Sequence, residues 1–289
     1  MNQKYSPIPV PHLLRESVIA GDGFVQRLRE RGWSVADVRP IYTDVKVIRQ
    51  PWLICPNGAR YSDRTFYHLF GITRFRKLLR TALLRVPCRA TAFASICPDT
   101  SELNTYLTFL RDQELLRNEG NVWNRGARLF NVADIGHSLE WYIAEWFRLT
   151  QSSHHLIPVR HGVTFHRSFD VGDIDVVALL DPWTITIECK SSSKISDSEL
   201  ALFVKRARLL QPAIAVLLID TPAIWLDGRI RRLNGLLAGD QEDPVIPVSS
   251  AEGIYWGANH ICVTSVSHSL PSSLESVLQV IEQKVRPPH

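Results

Sequence analysis

Between Gly172 and Lys190 apolar and polar positions alternate with a period of two. Ile174, Val176 and Ala178 interleave with Asp173 and Asp175, and Ile187 and Cys189 interleave with Glu188 and Lys190. Side chains on an extended strand point to alternate faces. The pattern therefore predicts two strands, with Asp173 and Asp175 sharing one face of the first, opposite Ile174, Val176 and Ala178. Glu188 and Lys190 share one face of the second. Asp181-Pro182 between them predicts a turn, because proline fixes φ and cannot donate to a ladder.

Helical spacing appears on both sides of this stretch. Ile72, Phe75, Leu79, Ala82 and Leu83 form one apolar face, as do Leu139, Ile143, Trp146 and Phe147 in a helix with Asp134 as N-cap. Asp99-Thr-Ser-Glu102 matches a capping box and opens a helix that turns Leu103, Tyr106, Leu107 and Leu110 inward. A helix from Glu199 to Gln211 buries Leu200, Phe203, Val204, Ala207 and Leu210 and leaves Lys205, Arg206 and Arg208 outward. Ala213 to Asp220 reads as a buried strand, Asp227 to Leu237 as a basic helix, and Gly253 to Val266 as a further strand. Ser272-Ser-Leu-Glu275 predicts the cap of a final amphipathic helix.

The first seventy residues carry the weakest pattern. A proline-rich arm occupies 1–11, a short amphipathic helix spans Leu13 to Arg31, and strands are expected over Thr43–Arg49 and Trp52–Tyr61. From there to about 125 the order is a helix, a short helix over Thr91–Ile96, the capped helix, and a hairpin through Asn118-Glu-Gly-Asn121. That succession reads as a winged helix. In nucleic-acid binding Arg117 or Arg125 of the wing would touch phosphate, and a basic surface is expected on the first helix through Arg76, Lys77 and Arg80.

Composition narrows the classes. The chain has 289 residues, 45% of them hydrophobic with 8 Trp and 11 Phe, enough for sizeable cores and against disorder. A net charge of +4 permits a phosphate-rich partner without demanding one. The 5 Cys are scattered without a C-x-x-C, and no signal peptide is evident, so a cytoplasmic protein is expected. Charges interrupt every apolar run short of a membrane span. His154, His155, His161 and His166 match no standard zinc spacing.

The chemistry lies in the two alternating strands. Asp175, Glu188 and Lys190 interrupt segments that otherwise look buried, and such groups rarely enter a core without a partner or a purpose. The bland alternative is a surface hairpin with solvated charges. The functional one is a hard divalent cation, Mg²⁺ or Mn²⁺, held by Asp175 and Glu188 and completed by water and a substrate phosphate. Lys190 would then orient or help deprotonate the attacking water, or neutralise developing charge.

Asp175 followed by Glu188-Cys-Lys190, preceded by Glu140 on a helix, resembles the PD-(D/E)XK, restriction-endonuclease-like nuclease superfamily. The wording Ser-Leu-Glu140, Gly172-Asp-Ile-Asp175 and Ile187-Glu-Cys-Lys190-Ser is most similar to nuclease domains of CRISPR-associated CARF effectors. The resemblance covers residues 130–220. It implies Glu140, Asp175, Glu188 and Lys190 as catalytic residues, with Glu140 completing the metal site directly or through water. It also implies that Lys205 or Arg206 can reach a phosphate.

The expectation is an α/β (α+β) protein whose mixed central sheet is flanked by helices and preceded by a winged helix. Its parts are an N-terminal segment (1–70), a winged-helix-like domain (71–127) and a nuclease-like domain (128–289). Its activity is divalent-metal-dependent phosphodiester hydrolysis, with DNA ranked ahead of RNA, in a defence, mobile-element or repair setting. A protein partner or a homodimer is compatible with this. The alternative is a nuclease-fold nucleic-acid-binding or assembly subunit, inactive without a partner or activator.

Overall fold

The structure, a computed structural model, describes residues 23–38, 60–129, 132, 134–149, 151–152, 155–165, 172–192, 194–266 and 269–285. In chain order these form α1 (Gly23–Glu30), β1 (Val35–Val38), α2 (Arg60–Gly71), α3 (Thr73–Arg85), β2 (Cys88–Arg89), α4 (Ala90–Ala94) and α5 (Thr100–Asp112). The hairpin β3 (Leu116–Glu119) and β4 (Val122–Arg125) follows, then α6 (Gly136–Leu149), β5 (Gln151–Ser152) and β6 (His155–Leu156). Next come β7 (Val159–Phe165), β8 (Ile174–Leu180), β9 (Trp183–Lys190), α7 (Asp197–Leu210) and β10 (Ile214–Ile219). The chain closes with α8 (Asp227–Gly239), β11 (Ile246–Pro247), β12 (Ile254–Trp256), β13 (Ile261–Ser265) and α9 (Leu270–Val285).

The expected mixed sheet is present. Its eight strands lie in the order β1-β7-β8-β9-β10-β13-β12-β11. β7, β8 and β9 pair antiparallel, whereas β9, β10 and β13 are parallel neighbours. Parallel strands need a crossover, and α7 supplies the one between β9 and β10. Apolar side chains leave the sheet on both faces, which explains why these strands read as nearly continuous hydrophobic runs. Ile185, Ile187, Val216 and Leu218 pack with α6 and α9, while Ala215, Leu217 and Ile219 pack with α7 and α8. Each Å² of that surface removed from water contributes about 25 cal/mol. Helices cover both faces, and the fold is α+β as expected.

Residues 60–129 add three helices and a three-stranded sheet, β2-β4-β3, after α2. Asp99 caps α5 by accepting from the Ser101 and Glu102 amides. Glu102 does not reciprocate as a capping box requires; its carboxylate accepts from Tyr106 and Arg74. The core is continuous, since Phe66, Phe75, Leu79 and Leu110 belong to the same apolar cluster as α6 and the sheet.

Several expected elements differ. Arg60 and Tyr61 begin α2 rather than ending a strand. The remainder of that strand, the strand over Thr43–Arg49, the arm at 1–11 and the start of the first helix lie outside the described residues. Gly253–Val266 is two antiparallel strands rather than one, because the chain reverses between Trp256 and Ile261. The last helix starts at Leu270, and the Ser269 hydroxyl accepts the Ser272 amide there. Among the described residues no helix is long and apolar enough to cross a membrane.

Candidate active site

The site forms where two strands part. The β8–β9 ladder runs from Leu180 opposite Trp183 to Val176 opposite Ile187 and goes no further. β9 continues alongside β10, with Glu188, Cys189 and Lys190 facing Leu217, Leu218 and Ile219. At the fork the Cys189 amide donates to the Asp175 carboxylate at 2.7 Å, so a side chain takes the place of a strand carbonyl. On the other flank of β8 the ladder to β7 also passes over Asp175, opposite Gly162, whose φ is +59°. That left-handed backbone favours glycine and breaks the pleat. The alternation expected along β8 is also corrected. Ile174 packs with Val177 and Leu179, not with Val176 and Ala178.

The four residues expected to be catalytic come together. Glu140 is buried on the sheet side of α6 and pairs with His137 at 3.1 Å. Burial, then the charge of Glu188, then that of Glu140 push the Asp175 carboxyl well above the usual carboxylate range. Lys190 Nζ lies 3.1 Å from Glu188 Oε1 and 3.6 Å from Glu199 Oε1. Burial works against its charge, but Glu188 and Asp175 outweigh it and raise the ammonium above its ordinary value. Lys190 is therefore a cation at neutral pH, which favours the charge-stabilising role over that of a base. Cys189 stays a thiol, held far above its usual range by burial and the surrounding carboxylates.

The sequence reading missed Glu199 and gave Arg206 a different role. Glu199 is fixed beside Lys190 by the capping box that opens α7, where Ser196 and Glu199 bond reciprocally. The signal was the Ser-x-x-Glu spacing directly after the strand. Arg206 was expected outward on α7, reaching for phosphate. It is buried instead, and its Nη1 donates to Glu188 Oε2 at 2.5 Å. Position 206 lies three residues beyond Phe203, on the stripe that packs against the sheet.

The expected phosphate contacts elsewhere need similar correction. Arg76 is fully buried, with Nε and Nη2 donating to Asp220 at 2.7 and 2.9 Å and Nη1 donating to the Phe70 carbonyl at 2.6 Å. Arg80 also pairs with Asp220, and Arg125 donates to the Leu83 carbonyl. These arginines hold α3 to the end of β10 and to the hairpin; Arg76 offers nothing to a ligand. Lys77 and Lys205 are exposed, and Arg117 is an exposed partner of Glu119 at 3.1 Å. His154 and His166 lie outside the described residues, and His161 is buried in β7.

The donor chemistry fits a hard divalent cation. Asp175 and Glu188 supply oxygen, and Glu140 adds a third negative charge whose field raises Asp175. Among the described residues no three His, Cys, Asp or Glu side chains close into a metal-binding group. Mg²⁺ needs no such cage, because one or two carboxylates with water and phosphate suffice.

No family model matches the chain, and no curated protein sequence matches it. Among solved structures it is similar to protein VC1899 from Vibrio cholerae, at 19% identity over 62% of this chain and 51% of that one, with a TM-score of 0.41. It is also similar to Can2 from Sulfobacillus thermosulfidooxidans, solved in complex with cyclic tetra-adenylate, at 16% identity over 75% of this chain and 56% of that one, with a TM-score of 0.46. The chain thus spans about half the length of each. Overlap this slight carries no argument about chemistry, which rests on the site.

Proposed function

We propose that this protein is a divalent-metal-dependent nuclease of the restriction-endonuclease-like kind, hydrolysing phosphodiester bonds at the β8–β9 fork. The observation that carries the reading is the convergence there of Asp175, Glu188 and Lys190, from strands otherwise largely apolar, with Glu140 from the packed helix α6. Asp175 and Glu188 would hold Mg²⁺ or Mn²⁺, with Glu140 completing the site directly or through water. The ion would polarise the phosphate and lower the pKa of a bound water. Lys190, a cation between Glu188 and Glu199, would orient that water and offset charge building on phosphorus. As the water oxygen bonds to phosphorus it would release its proton to solvent, the P–O bond to the leaving sugar would break, and the sugar oxygen would take up a proton from solvent. Asp175 is held by the Cys189 amide, so its carboxylate needs little reorganisation. DNA remains the first substrate to try. The three helices and three-stranded sheet of residues 73–125 have the element order of a winged helix, which supports a nucleic-acid partner.

One observation favours a second reading. Both Glu188 oxygens are engaged, one by Arg206 and one by Lys190. That suits a subunit whose site opens only on a partner or an activator. The deciding experiment incubates plasmid DNA, single-stranded circular DNA and RNA with Mn²⁺, Mg²⁺ or EDTA. The Glu188→Ala/Lys190→Ala double variant runs alongside. Metal-dependent cutting of circles that the variant lacks is the expected result. Cutting equal in the variant overturns the site, and tight binding without cutting moves the weight to the second reading.

A further inference from the structure

Arg206 places a permanent positive charge against one of the oxygens that a metal would use. Its Nη1 is 2.5 Å from Glu188 Oε2, within a crevice also lined by Phe203, Thr186 and Ile174. The chain packs tightly around it. A Cβ added to Gly172 would come within 3.0 Å of Arg206 Nη2, and Gly172 has a φ of +74°. Guanidinium does not deprotonate in proteins, so this charge stays on at every working pH. Lys190 on the other Glu188 oxygen differs, because its flexible stem has a second acceptor in Glu199 at 3.6 Å. It can swing toward Glu199 and release Oε1. Arg206, by contrast, is buried with its guanidinium against Glu188.

Two-ion hydrolases set their cations ~3.5–4 Å apart, close enough for both to lie against one carboxylate. A guanidinium already bonded to Oε2 excludes a second ion from that oxygen by direct repulsion. We propose that Arg206 is the resident cation of this site, filling the second-ion position, so that the chain takes one divalent ion on Asp175 and Glu188 Oε1. Arg206 thereby acts as a positioning residue: it holds the Glu188 carboxylate in one orientation and sets the ion count. The proposal rests on the hydrolytic reading above, but makes its own demand on metal stoichiometry.

The test counts Mn²⁺ bound to the full chain by electron paramagnetic resonance and titration calorimetry, for the native protein, Arg206→Gln, Arg206→Lys and Glu188→Gln. The native chain and Arg206→Lys should each bind one ion. Arg206→Gln should bind two, or one with affinity raised roughly tenfold or more as a repelling charge disappears. Glu188→Gln should lose the site. Two ions in the native chain overturn the proposal even if Arg206→Gln fails to fold. So does an Arg206→Gln chain that matches the native one in number and affinity, and native metal-dependent cleavage alongside that result leaves the nuclease reading standing. Absence of Mn²⁺ binding in every chain overturns both.

Discussion

The Asp175 carboxylate accepts the Cys189 amide hydrogen at 2.7 Å, across the point where β8 and β9 cease to pair. One bond thus does two things. It satisfies a strand N–H that has lost its ladder partner, and it aims an acid at the fork. The N–H favours the ionised form of Asp175, yet burial and the charges of Glu188 and Glu140 prevail, and the acid is held well above its usual range.

Asp175→Asn should accordingly raise the thermal stability of the metal-free protein at pH 7 while abolishing cleavage. The amide keeps an acceptor for Cys189 and removes a repelled charge. The sign follows from linkage. A carboxyl whose folded value is raised favours folding below its unfolded value, near 4, and loses that contribution as pH rises toward the folded value. The variant's advantage should shrink as pH falls to about 4. Melting curves with and without Mn²⁺ check this, and only the native chain should be stabilised by the ion.

Lys190 is raised rather than lowered, which separates two roles for it. A lysine acting as base would show a rate that climbs through its titration. A permanent cation gives no such limb between pH 7 and its ordinary value of 10.5. Lys190→Met should cut the rate by roughly 10²–10³-fold, the scale of a lost charge-stabilising donor. Lys190→Arg should keep more activity than Lys190→Met. A pH–rate profile of the native protein and both variants decides the matter.

Arg76 and Asp220 should matter for folding and not for nucleic-acid contact. Removing one partner of a buried pair costs about 3–5 kcal/mol, so Arg76→Ala should fall in that range. Burial opposes the Asp220 charge, but Arg76 and then Arg80 outweigh it and lower the carboxyl below its ordinary value. A lowered acid stabilises above its unfolded value and loses that contribution as pH falls through the folded one. The penalty of Asp220→Asn should therefore be full at pH 7 and fade below about pH 4. Exposed Lys77 is the contrasting case: Lys77→Ala should leave stability within about 0.5 kcal/mol of native. If helix α3 meets nucleic acid, that variant should lower the salt slope of binding by about 1.

Much of the site was written in local pattern. Period-two alternation placed Asp175, Glu188 and Lys190 on adjacent strands, and period 3.6 predicted the helix α6 on which the motif resemblance singled out Glu140. These signals survive because strand and helix periodicity are properties of neighbouring residues. The arginines were misread for the complementary reason. Arg76 and Arg206 lie on apolar stripes, but charge normally means solvent, and nothing nearby in sequence reveals a buried acid. The partner of Arg76 is 144 residues away, and that of Arg206 is 18 away across a crossover.

Composition and periodicity thus settled the type of most central elements and the α+β class, and put Asp175, Glu188 and Lys190 on neighbouring strands. They could do so because burial imprints its face on consecutive residues. The parting of β8 from β9, the turn of Ile174 to the other face and the capture of Glu188 by Arg206 were left to three-dimensional packing. Each depends on strand register or on a charge finding its partner in a core, and neither leaves a local trace in the chain.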